Sequence, residues 1–276
     1  MDEVEYLKYL TKDEIMNLIN NIFKTSSFDI ENDDGHTEII CPYCEKGELI
    51  FFSKKEKWVG DEEYNNRIKN DPNYDSDFQK FYYLINLVCS NHLCNRNVIS
   101  AGEISAPEIY TDNNGDGVKI TSYTPRYFSK SPHLISLDSS YPTDIQKLLE
   151  SSFELFWIDR MSCANKIRIC LESLMDYYNV PRKSKKRDGK FKNLTLHDRI
   201  KKCKVLSASN NENFALAIKW IGNIGSHNTE DFSNEKLFLA YELLDYILQD
   251  LFINQNKIKE LAKKAKIVNK SKGKKI

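Results

Sequence analysis

Cys41-Pro-Tyr-Cys44 and Cys89-Ser-Asn-His-Leu-Cys94 are two close cysteine pairs with 44 residues between them. A Cys-Pro-x-Cys turn places two thiolates on one knuckle, with backbone amides free to support them, and a second knuckle can close a tetrahedral site. Paired cysteines in a reducing compartment more often hold metal than a disulfide. The flanks read as short strands at Thr37–Ile40, Glu48–Phe52, Gln79–Val88 and Asn97–Ile104, which gives two hairpins pinned by one ion, a zinc-ribbon-like arrangement. The expected ligands are Cys41, Cys44, Cys89 and Cys94 around a structural Zn2+, and His92 inside the second knuckle could replace Cys89 or Cys94. Four protein ligands close the coordination sphere, so such an ion stabilises and does not catalyse. The spacing between the knuckles exceeds the ~15–20 residues common in this pattern.

Outward from the knuckles, the charge is uneven. The 276 residues carry 40 basic and 40 acidic side chains, yet residues 1–100 hold 19 acids against 11 bases, and residues 101–276 hold 21 against 29. The basic part is the better candidate for touching nucleic acid. No apolar run reaches the ~18 residues of a membrane span, and the acidic start Met1–Leu10 lacks the basic-then-apolar order of a signal peptide. A soluble cytoplasmic protein is expected.

Thr11-Lys-Asp-Glu14 is a capping box that predicts a helix over Thr11–Phe23. Lys54–Asp77 reads as a charged ribbon insertion, and Asp112–Gly117 as a hairpin turn, since the glutamate of a calcium loop is missing. Three prolines, Pro125, Pro132 and Pro142, mark residues 124–142 as a connector. After it the period becomes helical: Thr143–Trp157, Arg160–Tyr178 (ended by Pro181), Leu196–Val205 behind the cap Thr195-x-x-Asp198, Glu212–Ser226 and Asn234–Ile253. Cys163 and Cys170 sit on the apolar stripe of the second of these and read as core. The expected division is a lead-in at 1–35, a β domain at 36–123, the connector, a helical bundle at 143–254 and a basic tail at 255–276. The fold class is α+β.

Two further patterns bear on function. Arg182–Lys192 is a loop with seven positive charges, on Arg182, Lys183, Lys185, Lys186, Arg187, Lys190 and Lys192, against one negative, and Lys257–Ile276 has nine lysines and one acid. Both suit salt-sensitive contact with phosphates. On the Glu212–Ser226 helix, Lys219, Asn223 and His227 share a face, while Gly222, Gly225 and Ser226 are small enough to admit another backbone.

Ser162–Glu172, Leu194–Ile200, Ala217–His227 and the Leu239–Leu251 helix together resemble the bacterial domain of unknown function 4145, over about Ser131–Phe252. The resemblance implies a helical bundle akin to HEPN domains, which are four- or five-helix units, often dimeric, many of them ribonucleases in toxin and antiphage systems. Cysteine-paired ribbons often precede this domain, and members often accompany restriction and other defence genes. Active HEPN ribonucleases use an arginine followed by a polar residue, with a histidine five positions after the arginine. Asn223 and His227 match the last two, and Gly222 stands where the arginine would be. Lys219 or Arg168 could supply a cation, without the arginine fork in the case of lysine, and Arg168 and Glu172 form an i, i+4 pair.

The expected function is a non-catalytic binding or adaptor module for nucleic acid, RNA above all, or for a partner protein in a defence setting, as a homodimer. The alternative is a metal-independent ribonuclease on His227 and Asn223, helped by Lys219, Arg168 and Glu172. Phosphate-cradling glycine loops, H-E-x-x-H and nucleophile elbows are missing.

Overall fold

The computed structural model describes residues 28–31, 36–51, 57–73, 79–104, 108–111, 117–227 and 234–270. The helix expected at Thr11–Phe23 and most of the Asp112–Gly117 turn lie outside them. The chain forms two compact units, 1–134 and 135–276. Strands occupy the first and helices dominate the second, so the fold is α+β.

The first unit is one antiparallel sheet of β1 (Phe28–Glu31), β2 (His36–Ile40), β3 (Glu48–Phe51), β4 (Lys57–Gly60), β5 (Phe81–Cys89), β6 (Asn97–Ile104), β7 (Glu108–Thr111) and β8 (Gly117–Phe128). Its order is β1-β8-β6-β5-β3-β2, with β4 added to β5 and β7 to β8. The sheet is therefore larger than two hairpins: β1, read as lead-in, pairs with β8, and β8 runs on to Phe128. Pro125 is tolerated inside β8 because it sits opposite Gly102 at a shift of register. The Lys54–Asp77 stretch is more than a ribbon, since it also folds into helix α1 (Glu62–Ile68). Asn65 of α1 docks it by exchanging two hydrogen bonds with the backbone of Lys80, 3.0 and 2.8 Å.

Period-2 burial builds the core. Tyr83, Ile85, Leu87 and Cys89 of β5 face inward while Tyr82 and Leu84 face out. Leu49, Phe51, Val98 and Tyr123 complete this core, with Tyr83 and Tyr123 edge to face at 5.0 Å.

The second unit contains α2 (Thr143–Ile158), α3 (Arg160–Tyr177), the hairpin β9 (Lys183–Lys185) and β10 (Phe191–Asn193), α4 (Leu196–Lys202), α5 (Lys204–Ala208), α6 (Glu212–His227) and α7 (Asn234–Leu248). A wide helical turn, Gln249–Asn254, then leads into α8 (Gln255–Lys270), so the basic tail is helical as far as it is described. Asp159 ends α2 and caps α3, accepting from the Ser162 N–H at 3.0 Å. Helix α3 stops at a left-handed Asn179, where the Val180 N–H reaches back to the Met175 carbonyl at 2.8 Å, two residues before Pro181. The expected capping box at Thr195 and Asp198 is present, but Cys203 divides the expected single helix into α4 and α5.

Helix α3 is central: α2, α6 and α7 all pack on it. Its Cys163, Ile167, Cys170, Leu171 and Leu174 are buried. Cys163 packs at 3.1 Å from the Tyr241 hydroxyl, which donates to Ser152 at 2.9 Å, and burial pushes its thiol up to about 12. Leu171→Ala should cost about 2–5 kcal/mol of unfolding free energy, measured by urea denaturation; a loss well under 1 kcal/mol would contradict a rigid core at this position.

Candidate functional site

Among the described residues, two arrangements could do chemistry, one in each unit. In the sheet, the Sγ atoms of Cys41, Cys44, Cys89 and Cys94 all lie within 4.8 Å of one another. Cys41 and Cys94 are 3.9 Å apart, and Cys44 and Cys89 are 3.6 Å apart. Four sulfurs at ~2.3 Å from one tetrahedral ion are about 3.8 Å apart, so the donor set fits.

Strand register and turns divide the ligands. Cys41 continues the inward set Thr37 and Ile39 of β2, and Cys89 is the last inward residue of β5. Cys44 and Cys94 come from the turns, each followed by a residue with positive φ, Glu45 at 51° and Asn95 at 45°. The same bond closes both turns: the Glu45 N–H to the Cys41 carbonyl and the Asn95 N–H to the Asn91 carbonyl, each 2.9 Å. The second turn thus begins at Asn91, and the wider Cys89–Cys94 spacing arises because its first ligand stays on the strand. A Cβ on Gly47 would meet Cys89 Sγ at 2.6 Å and the Asn91 nitrogen at 2.7 Å, so the two knuckles approach across a glycine. His92 is exposed and outside the cluster.

Backbone N–H groups of Lys46 and Gly47 pull the Cys44 thiol down to about 6. Burial pushes Cys89 up to about 12, and burial also raises Cys41. A bound cation would favour all four thiolates and compete with protons for them.

In the helical unit, α3, α6, α4 and the β9–β10 hairpin line a half-open cavity of about 750 Å³. Arg168, Glu172, Lys219 and Asn223, which the sequence reading placed near one another, all line it, joined by Arg182, Lys183 and Arg199. Arg199 and the pocket's hairpin wall were not singled out for it in the sequence, because the chain reversal that brings them over α3 carries no periodic signal. Arg168 donates to Glu172 at 2.8 Å and to the Asn165 side-chain oxygen at 3.0 Å. Arg182 and buried Arg199 both bind Asp176, and their hydrogen bonds, that of Arg182 foremost, hold its carboxyl below the usual range. Arg199 also donates to the Val180 carbonyl at 3.1 Å, which anchors the base of the hairpin.

Lys219 is only 8% exposed, and among the described residues it has neither a hydrogen bond nor an ion pair. Its ammonium lies 3.0 Å from the centre of the Trp220 ring. Burial, and then the charge of Arg168, push its pKa down.

Gly222 explains how α6 lies so close to α3. A Cβ there would meet the Arg168 Cβ at 2.6 Å and the Ala164 carbonyl oxygen at 3.1 Å. His227 is the last residue of α6, and its side chain lies outside the described atoms.

Residues 150–271 match the family model described as "Domain of unknown function (DUF4145)". That match supports the family read from the motifs of α3, α4 and α6. Residues 29–128, the sheet unit, match a second model, "Domain of unknown function (DUF8608)". Neither the curated proteins nor the solved structures give a match. The DUF4145 segment contains the whole cavity wall, from Arg168 to Asn223.

Gly222→Ala should cost about 1–3 kcal/mol by forcing α6 off α3. Urea denaturation measures this, and an unchanged midpoint would contradict the contact.

Proposed function

We propose that this chain is a non-catalytic binding module. Its sheet unit is zinc-ribbon-like and held by a structural Zn2+. Its helical unit is HEPN-like and binds nucleic acid, RNA foremost, in a bacterial defence setting, with self-association as a homodimer.

The observation that carries the reading is the β9–β10 hairpin. Arg182, Lys183, Lys185, Lys186, Arg187, Lys190 and Lys192 are all exposed, and among the described residues only Arg182 has an ion pair. A protein surface that sets six cations without an ion pair on one short hairpin, with Asp188 and Asp198 the nearby acids, repels itself unless a further anion is near. Phe191 stands between Lys190 and Lys192 with 70% of its surface exposed. An aromatic ring among cations is a stacking platform for an unpaired base, which a purely solubilising loop does not need. On α8, Lys257, Lys263, Lys264 and Lys266 are exposed as well and add phosphate contacts.

The packing around Gly222 supports binding over cleavage. The arginine of active HEPN ribonucleases, placed here, would have to start from a Cβ for which α3 leaves no room. Asn223 and Lys219 then serve to hold a phosphate and not to cleave beside it.

Binding to single-stranded RNA, read by gel shift, should weaken steeply with salt, with a slope of about −0.7 per phosphate contact. Replacing Lys185, Lys186 and Arg187 by glutamate should cost more than about tenfold in affinity, and Phe191→Ala about 1–3 kcal/mol. Salt-independent binding, or affinity unchanged by both variants, would contradict the reading.

For the metal, elemental analysis of the purified chain should find one zinc per molecule, lost in Cys44→Ser and Cys94→Ser. Chelation or acid, which protonates the thiolates, should lower the melting temperature of the sheet unit. A metal-free chain with an unshifted transition would contradict the zinc assignment.

A further inference from the structure

The cavity beneath the hairpin contains a lysine with no counter-charge. Burying an ammonium is unfavourable unless a counter-charge or hydrogen bonds compensate it. The Lys219 side chain is nine-tenths buried with neither, and its ammonium rests only against the Trp220 ring. Asn223, on the same wall one turn along α6, makes no hydrogen bond among the described residues. Around the cavity, five cations (Arg168, Arg182, Lys183, Arg199 and Lys219) face two carboxylates, Glu172 and Asp176, both already engaged by arginines. The surplus is positive, and Lys219 and Asn223 line the same space without a hydrogen bond among the described residues.

We infer that this cavity is a receptor for a terminal phosphate, a phosphomonoester of nucleotide size, held by Lys219, Arg168, Asn223 and the Arg182–Lys183 edge of the hairpin. A monoester carries about −1.5 to −2 charge at neutral pH and offers three acceptor oxygens, whereas a backbone diester carries one charge. The dianion matches the surplus of cations better. A volume of about 750 Å³ also accepts a whole mononucleotide. The guanidinium of Arg168 can turn its fork toward phosphate oxygens, Lys219 acts as a point charge at the floor, and the Asn223 amide donates from the side. The inference deepens the nucleic-acid reading and rests on it for the source of the phosphate: the end of a strand lying along the β9–β10 hairpin. A free nucleotide has the same chemistry.

The test uses the full chain. One short single-stranded RNA is prepared with a 5′-phosphate or a 5′-hydroxyl and followed by fluorescence anisotropy, and adenosine 5′-monophosphate is titrated by calorimetry. The expected result is at least about tenfold tighter binding of the phosphorylated end. Adenosine monophosphate should compete for it. K219M should erase the preference, lowering the affinity for the 5′-phosphorylated RNA at least about tenfold more than that for the 5′-hydroxyl RNA. If K219M does not fold, R182A/N223A takes its place, because Arg182 is 74% exposed and neither side chain fills the core; the preference should again fall. Equal binding of both RNA ends together with no binding of adenosine monophosphate overturns the inference and leaves the hairpin reading intact. A preference undiminished in these variants also overturns it. Lys219-dependent binding of adenosine monophosphate with no binding of either RNA upholds the pocket and rejects the nucleic-acid reading.

Discussion

At Gly222 helices α6 and α3 come so close that not even a Cβ fits between them. This contact organises the helical unit. It sets α6 on α3 so that Lys219 and Asn223, one turn or less away from the glycine, face Arg168 and Glu172 across the same cavity. It also places the floor of that cavity against the base of the hairpin, which Arg199 and Asp176 fix to the end of α3. One missing methyl group thus creates a recess lined with cations and removes the room that a longer side chain at position 222 would occupy.

The sheet unit follows a different logic. There the strands supply a register and the turns supply the remaining donors. Cys41 directly follows β2 and continues its inward set, Cys89 is the last inward residue of β5, and Cys44 and Cys94 sit on turns closed by the same backbone bond. A metal bound to this set would tie turns from two separate hairpins to one core, which is how a small sheet gains stability that its apolar area alone supplies only partly.

Much of this was legible in the chain. The alternation in Phe81–Cys89 and the 3.6-residue period of α2, α3 and α6 mark elements within a residue or two, and the period of α7 marks its start but runs on into the wide turn Gln249–Asn254, because burial on one face leaves a periodic trace. The cysteine cluster was legible because its chemistry restricts the residue types. Helix α1 was not: it is short and charged, and Asn65 is its one buried residue, so no period marks it. The same holds for the hairpin. Lys183–Lys185 and Phe191–Asn193 are too short and too polar to read as strands, and only Gly189 at φ 81° betrays the turn. The break at Cys203 and the unmatched burial of Lys219 depend on tertiary packing and have no local signature. The candidate site is accordingly half legible: residues on long helices were found, and those delivered by the hairpin and by α4 were found only as charges.

The central claim is that the basic surface of the helical unit, hairpin and cavity together, is where nucleic acid binds. The most direct measurement is photo-crosslinking of the full chain to a single-stranded RNA, with the attached peptides mapped by mass spectrometry. The account predicts crosslinks concentrated in the hairpin peptide bearing Phe191 and in the neighbouring segments of α6 around Trp220. Crosslinks confined to the sheet unit, or spread evenly over both units, would contradict it.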